Sequence, residues 1–268
     1  MRKLLVLDLD GTLTNSEKKI TPETKEQLQR MQEAGHIVAL ATGRPVPGVM
    51  PVARELELEK YGGYVIACNG GLLIDCRTGE HLYEKTLPKN LVAEMFDYAE
   101  QLGVGIYTYT EQGIVAGSEH DLYMEYASAI NHLEIFHPKN PMEMVTGPVF
   151  KWMVTVPEEI AVEVQEKFYE RLGDRFTALR SEPFFIELLP CGVDKAEGIA
   201  LLLERLGMSR EDVIACGDGF NDIAMVKYAG LGVAMENAQD AVRKAADVVT
   251  LSNDDDGVAR VIEKYILS

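Results

Sequence analysis

An apolar run, Leu4 to Leu7, ends at Asp8, and a second aspartate follows at Asp10 before Gly11 and Thr12. A strand interior has no use for two aspartates, because burying an unpaired charge is costly. At the rim of an open α/β sheet, where ligands bind, they can serve metal or acid–base chemistry. Three more polar clusters follow apolar runs or open helices: Thr42-Gly43-Arg44 after Ile37–Ala41, Lys195 at a helix start, and Gly217-Asp218-Gly219-Phe220-Asn221-Asp222 after Cys216. In a parallel sheet, strand ends of one sense face one edge, so clusters distant in sequence can converge there. Asp8, Asp218 and Asp222 together would need a cation, and oxygen ligands with room for water suit Mg²⁺. Thr42, Lys195 and the backbone N–H groups of the Asp10–Thr12 turn supply donors for an anion. Metal, donors and a free carboxylate describe a phosphoryl-transfer site, where positioning and charge stabilisation dominate.

Each cluster has a plainer reading. Asp8 and Asp10 could form turns or cap helices, Thr42 could be a cap, Arg44 and Lys195 could be solvated, and Asp218-Gly219 is a good turn pair. A calcium loop starting at Asp8 fails, because Leu13 stands where glycine is needed and Lys19 where glutamate is needed. The run Asn253–Asp256 reads as an exposed turn capping the last helix.

The elements that must position these groups come in two rhythms. Leu4–Leu9, Ile37–Ala41 and Tyr64–Ala67 read as buried strands. Between them lie helices opened by Thr21-Pro22 and spanning Val46–Leu58. Strand and helix in alternation argue for right-handed crossovers and a parallel sheet. The same rhythm returns after Pro190: a helix over Lys195–Leu206, a strand over Val213–Cys216, a helix over Asp222–Ala229, a strand over Leu231–Ala234 and a last helix from about Val258. Between these stretches the pattern changes. Leu72–Asp75 and His81–Lys85 flank a hairpin turn, Pro88–Leu102, Asp121–Ala129 and Pro157–Leu172 read as helices, and His137–Pro148 reads as a loop. Strand-like runs at Ile106–Thr110, Gly113–Ala116, Trp152–Val156, Phe176–Leu179 and Phe184–Leu189 suggest an open antiparallel sheet. The expected fold is α/β: a Rossmann-like parallel-sheet core, residues 1–83 and 190–268, interrupted by an inserted α+β cap domain, residues 84–189, with an antiparallel sheet.

Composition narrows the partners. The chain has 268 residues and a formal charge of 26 − 43 = −17. Such a surface repels phosphate backbones, so no nucleic-acid partner is expected, whereas local cations in a cleft still admit a small anion. No apolar stretch is long enough to span a bilayer, and Asp8 and Asp10 interrupt the apolar start too early for a signal peptide. Cys68, Cys76, Cys191 and Cys216 form no C-x-x-C pair and read as reduced thiols of a cytoplasmic protein.

The four motifs in order, Asp8-Leu9-Asp10-Gly11-Thr12, Thr42 in Ala-Thr-Gly-Arg, Lys195 and Gly217–Asp222, resemble those of the haloacid dehalogenase-like hydrolase superfamily. The insertion and Asn69-Gly70 resemble the Cof-type phosphatases with a type IIB cap. The resemblance implies that Asp8 is the nucleophile, forming an aspartyl-phosphate, and that Asp10 is the acid–base and offers its carbonyl to Mg²⁺. It implies that Thr42 and Lys195 hold the phosphoryl group, with Gly43 and Arg44 beside them. Asp218 would ligate the metal with Asp222 as ligand or support, and Asn221 would touch phosphate or orient Lys195. The implied activity is a Mg²⁺-dependent phosphatase of small phosphorylated metabolites, sugar phosphates foremost. A phosphomutase and a non-catalytic phosphate-binding regulator are the alternatives. Asp194 and Ala196 depart from the serine or asparagine and the glycine that often flank the motif lysine. His120, Arg180 and Glu187 are candidate cap contacts, each with a surface or structural role as the competing reading.

Overall fold

A computed structural model describes residues 2–88 and 90–268 of the chain, with Asp174 described in its backbone alone. Met1, and Lys89 within the helix expected over 88–102, lie outside the described residues. In chain order the strands are β1 Leu4–Leu7, β2 Ile37–Ala41, β3 Tyr64–Ala67, β4 Leu72–Asp75, β5 His81–Glu84, β6 Gly105–Tyr109 and β7 Ile114–Ala116. They continue with β8 Ile135–Phe136, β9 Trp152–Thr155, β10 Phe176–Glu182, β11 Phe185–Pro190, β12 Val213–Gly217, β13 Leu231–Ala234 and β14 Val248–Val249. The chain divides into two units. One comprises the chain up to Gly43, Val49–Glu84 and Asp194–Ser268, and the other comprises Arg44–Gly48 and Lys85–Val193.

The first unit holds one sheet in the order β14-β13-β12-β1-β2-β3-β4-β5. From β14 through β3 every pairing is parallel, and β4 and β5 add an antiparallel edge. Every residue of β1 and β2 is buried, as expected for parallel strands covered on both faces. The chain steps from β1 outward through β2 and β3, then returns to β12 on the other side of β1 and steps outward again. The order therefore reverses between β1 and β12, and the carboxyl ends of two such strands form the crevice where open α/β sheets bind ligands.

Local chemistry sets the helix ends. Thr21 caps the helix Pro22–Glu33, its hydroxyl accepting from Thr24 N–H at 3.2 Å. The single helix expected over Val46–Leu58 is two, Val46–Glu55 and Leu58–Tyr61, because Glu57 turns left-handed between them. The helix expected from Asp222 begins with a 3₁₀ turn, Phe220–Asp222, before Ile223–Tyr228. A helix at Asp240–Ala245 and the short β14 were not anticipated. The turn at Asn253–Asp256 precedes the helix Gly257–Tyr265, but its side chains do not cap it. Asp256 accepts from the Thr21 and Thr24 hydroxyls, Asp254 from Ser16 N–H and hydroxyl at 2.8 and 2.7 Å, and Asn253 donates to the Thr14 carbonyl at 2.9 Å. The turn thus fastens the segment that follows β1.

The second unit is a six-stranded sheet, β10-β11-β9-β6-β7-β8. Its pairings are antiparallel, as expected, except that β7 pairs with the two-residue β8 in parallel at one edge. Side chains alternate between two apolar clusters, as the strand period of two requires. Ile106, Trp152, Val154 and Ile186 join Met95, Phe96 and Phe168 of the helices Asn90–Leu102 and Ala161–Leu172. Tyr107, Met153 and Phe185 join Met124 and Ala127 of the helix Leu122–Asn131.

Candidate active site

Asp8 prolongs β1 by one residue, its N–H donating to the Cys216 carbonyl of β12 at 3.0 Å. Asp218 follows the end of β12, so the register of the two strands sets both carboxylates at the same crevice. The turn between Asp10 and Thr12 lies against Asp218. Gly11 has φ +84°, and a Cβ there would stand 2.4 Å from Asp218 Oδ2. A side chain at that position meets both a strained backbone and a clash, which is why glycine follows the aspartates. Thr12 Oγ1 donates to Asp218 Oδ1 at 2.8 Å and fixes the carboxylate's orientation. Asp8, Asp218 and Asp222 each offer an oxygen within 4.8 Å of the others.

Asp222 is fully buried and both its oxygens are engaged. Oδ2 accepts from the N–H groups of Asp218 and Gly219, both at 2.9 Å, and Oδ1 accepts from Lys195 Nζ at 2.6 Å. Lys195 opens the helix Lys195–Leu206, which Asp194 caps by accepting from Glu197 N–H at 2.8 Å. Asp194 thus keeps the capping role despite its departure from the usual serine or asparagine. The Lys195 ammonium, with none of its surface exposed, also donates to Asp8 Oδ1 at 2.5 Å. Burial would lower the ammonium's pKa, but the carboxylates of Asp222 and Asp8 outweigh it and hold the group charged. Burial first, and the Asp222 charge next, push the Asp8 carboxyl well up. The same two causes push Asp218 up to about 6, against the Thr12 hydrogen bond. One ammonium among three crowded carboxylates leaves the cluster short of positive charge. Its all-oxygen donor set fits a hard divalent ion.

Thr42 prolongs β2, its N–H donating to the Ile66 carbonyl of β3, and its carbonyl accepts from Asn69 N–H, both at 2.9 Å. Asn69 is buried and left-handed at φ +57°. Its Oδ1 accepts from Asn221 Nδ2 at 3.0 Å and stands 3.2 Å from where a Gly43 Cβ would be. Asn221 therefore reaches Asn69, while the hydrogen bonds that orient Lys195 come from Asp8 and Asp222. Gly70, at φ +105°, lets the end of β3 touch the lysine helix, since a Cβ there would lie 2.1 Å from the Asp194 carbonyl. Asp10 is more open than Asp8: its carboxylate is 32% exposed and pairs with Lys18 Nζ at 2.8 Å. Arg44 belongs to the second unit, where its guanidinium donates to the carbonyls of Gly48 and Ile130 at 3.3 and 3.2 Å.

Residues 5–262 match the family model of the haloacid dehalogenase-like hydrolases. The chain belongs to that family. A crystal structure of a haloacid dehalogenase-like hydrolase from Bacteroides thetaiotaomicron superposes with a TM-score of 0.93 at 43% identity, covering 98% of this chain and 99% of that one. The subclass IIB sugar phosphatase BT4131 superposes at 0.83 with 27% identity and 98% of each chain covered. The 5-amino-6-(5-phospho-D-ribitylamino)uracil phosphatase YcsE of Bacillus subtilis is 31% identical over 99% of this chain and 96% of its own.

In this hydrolase the residue that sequence reasoning left out of the site is Asn69. Its signal was the Asn-Gly pair after a buried strand, but only the fold shows its amide between Gly43 and Asn221. In the second unit, Glu187 forms a buried ion pair with Lys151 at 2.8 Å, with both side chains 4% exposed. His120 contacts His137 and Glu125, and Arg180 lies exposed on β10.

Proposed function

We propose that this hydrolase is a Mg²⁺-dependent phosphatase of small phosphorylated metabolites, sugar phosphates foremost, working through an aspartyl-phosphate on Asp8. The observation that carries this reading is the placing of Asp8 at the strand-order reversal, 2.5 Å from a buried ammonium and beside two further carboxylates. Asp8 would attack phosphorus, forming an O–P bond as the ester O–P bond breaks, while Asp10 gives its proton to the leaving alcohol. Water then attacks the acyl phosphate with Asp10 accepting its proton, which releases inorganic phosphate and restores Asp8. Lys195, Thr42, the Gly43 backbone and Asn221 would hold the transferring group. Asp8, Asp218 and the Asp10 carbonyl would hold Mg²⁺, which when bound supplies neutralising charge to the phosphoryl oxygens. Asp222, with both oxygens engaged, would serve that ion indirectly by fixing Lys195 and the Asp218 backbone. The inserted unit would select the leaving group.

The substrate class draws support from the ribityl phosphate in the name of the Bacillus subtilis relative and from the sugar phosphatase among the structural neighbours. Both are phosphomonoesters of polyhydroxylated carbon chains. No helix among the described residues is long and apolar enough to cross a membrane, and all four cysteines are free thiols, which supports a cytoplasmic setting. A phosphate-release panel over sugar, polyol, nucleotide and cofactor monoesters, with and without Mg²⁺, tests the reading. Turnover of sugar or polyol phosphates only when Mg²⁺ is present is the expected pattern, and turnover undiminished by a chelator would refute it. Asp10→Ala is expected to lose on the order of 10²–10⁴ in rate on an alkyl phosphate, the usual worth of acid–base assistance. Full activity of that variant would remove Asp10 from the mechanism.

Asp218 also makes metal binding pH-dependent. A cation binds the ionised carboxylate, and the carboxyl is pushed up to about 6, so below that pH binding must displace a proton. Apparent Mg²⁺ affinity should therefore fall about tenfold for each pH unit below 6 if one proton is displaced, and more steeply if Asp8 also takes one up. Calorimetric titration across that range checks this, and an affinity that ignores pH would contradict it.

A further inference from the structure

Two imidazoles of the second unit face each other across the ends of neighbouring strands. His120 lies on the segment after β7, and His137 follows β8 directly. His120 Nδ1 and His137 Nε2 stand 3.1 Å apart. The outer nitrogen of each ring already has an acceptor. His120 Nε2 meets Glu125 Oε1 at 2.9 Å, and His137 Nδ1 meets the Ser118 carbonyl at 3.2 Å. An ionised carboxylate and a carbonyl can only accept, so each outer nitrogen carries the N–H. A neutral imidazole has one N–H, which leaves the two inner nitrogens with their lone pairs turned toward each other. A cation between them, either one proton shared by the two rings or a metal ion, would satisfy both.

We infer that His120 and His137 form a binding site for a borderline divalent transition-metal ion, Zn²⁺ being the best match. Two nitrogens held at about 2.0–2.1 Å from an ion stand roughly 3.3 Å apart in tetrahedral geometry and roughly 2.9 Å apart at a right angle. The observed 3.1 Å falls between these. The outer contacts match the way metal-ligating histidines are held, with the far N–H on a carboxylate or a backbone carbonyl. Imidazole nitrogen selects zinc, nickel, cobalt or copper over Mg²⁺, so this site differs in kind from the all-oxygen cluster around Asp8. Both rings are exposed, so the ion has access from solvent and can complete its shell with water. A groove of about 570 Å³ beside the pair is lined by Asp97, Glu100, Glu119 and Lys139, an acidic balance that draws cations. The bound ion would clip the segment 117–121 to the end of β8 and close the edge of the sheet.

The test is calorimetric titration of the full chain with Zn²⁺ in excess Mg²⁺, paired with Co²⁺ absorption spectra that report nitrogen ligation. The expected result is a Zn²⁺ site of micromolar affinity that Asp218→Asn leaves intact. His120→Ala and His137→Ala should each weaken it at least about 100-fold, and Glu125→Gln about 10–100-fold, the usual cost of losing a partner behind a ligand. In the unsubstituted protein, Co²⁺ should broaden the NMR signals of these two rings first, a readout that needs no variant to fold. The same Zn²⁺ affinity in the double variant would overturn the inference. So would ring-nitrogen NMR showing a proton shared between the imidazoles that Zn²⁺ does not displace.

Discussion

Asp8→Asn should abolish turnover while leaving the metal-free protein as stable as before, or more stable. The loss is expected at roughly 10⁴–10⁶-fold, the range seen when a covalent nucleophile is removed. The stability half follows from the same position. Burial and the Asp222 charge raise the Asp8 carboxyl in the folded state, so its ionised form is disfavoured there relative to the unfolded chain. A raised carboxyl subtracts stability as pH climbs above its unfolded pKa, and the deficit grows until pH passes the folded one. Asparagine carries no such charge, and its carbonyl can still accept from Lys195 where Asp8 Oδ1 does at 2.5 Å. In chelator the variant's melting midpoint should equal or exceed that of the parent, with the gap widening from about pH 5 to about pH 8. Acid-quenched parent protein should carry a phosphoryl increment on the peptide containing Asp8, and the variant should carry none. A variant that kept turnover, or a phosphoryl group found elsewhere, would end the nucleophile assignment. A variant that lost activity only because it melted early would show the loss and the melting together.

What the sequence revealed follows from how much each feature depends on its neighbours in the chain. β1 and β2 were legible because parallel strands covered on both faces are continuously apolar, and the polar residues that interrupt them mark the strand ends. β8 and β14 have two residues each, too few to show a period, and exist because a neighbouring strand offers hydrogen bonds. The turn at Asn253–Asp256 was read correctly as a turn and wrongly as a cap. Two of its three aspartates serve hydroxyls more than 200 residues away, Asp256 that of Thr21 and Asp254 that of Ser16. Arg44 sits within a motif yet donates to the carbonyl of Ile130, a contact that no local pattern encodes. Asn69 and Asn221 are 152 residues apart, so the bridge between them is invisible until β3 and β12 share one sheet edge. Residue types thus announced the chemistry, whereas the division of labour among the side chains is a property of the assembled sheet.

That division is sharpest at Lys195, where the second large effect is expected. Lys195→Met keeps the length and apolar stem of the side chain but removes its charge. Asp8 and Asp222 are then left side by side, buried, with their shared cation gone. Deleting one partner of a buried ion pair typically costs about 3–5 kcal/mol, because the remaining charge has neither water nor a counter-ion. The chelated variant should therefore unfold at markedly lower denaturant, and phosphate release should fall with it. The pH dependence separates this account from a simple packing defect. In the parent the ammonium stays charged, since Asp222 and Asp8 push its pKa up, so it offsets the carboxylates across the working range. In the variant the Asp8 carboxyl, already pushed up by burial and the Asp222 charge, rises further, and protonating it relieves the strain. Stability lost to the substitution should be least near about pH 5 and greatest near about pH 8, where the raised Asp8 carboxyl must ionise. Excess Mg²⁺ should restore part of it at the higher pH, because an ion held by Asp8 and Asp218 replaces some of the missing positive charge. A stability deficit independent of both pH and Mg²⁺ would mean that Lys195 acts by filling space, and the charge balance on which the site depends would have to be sought elsewhere.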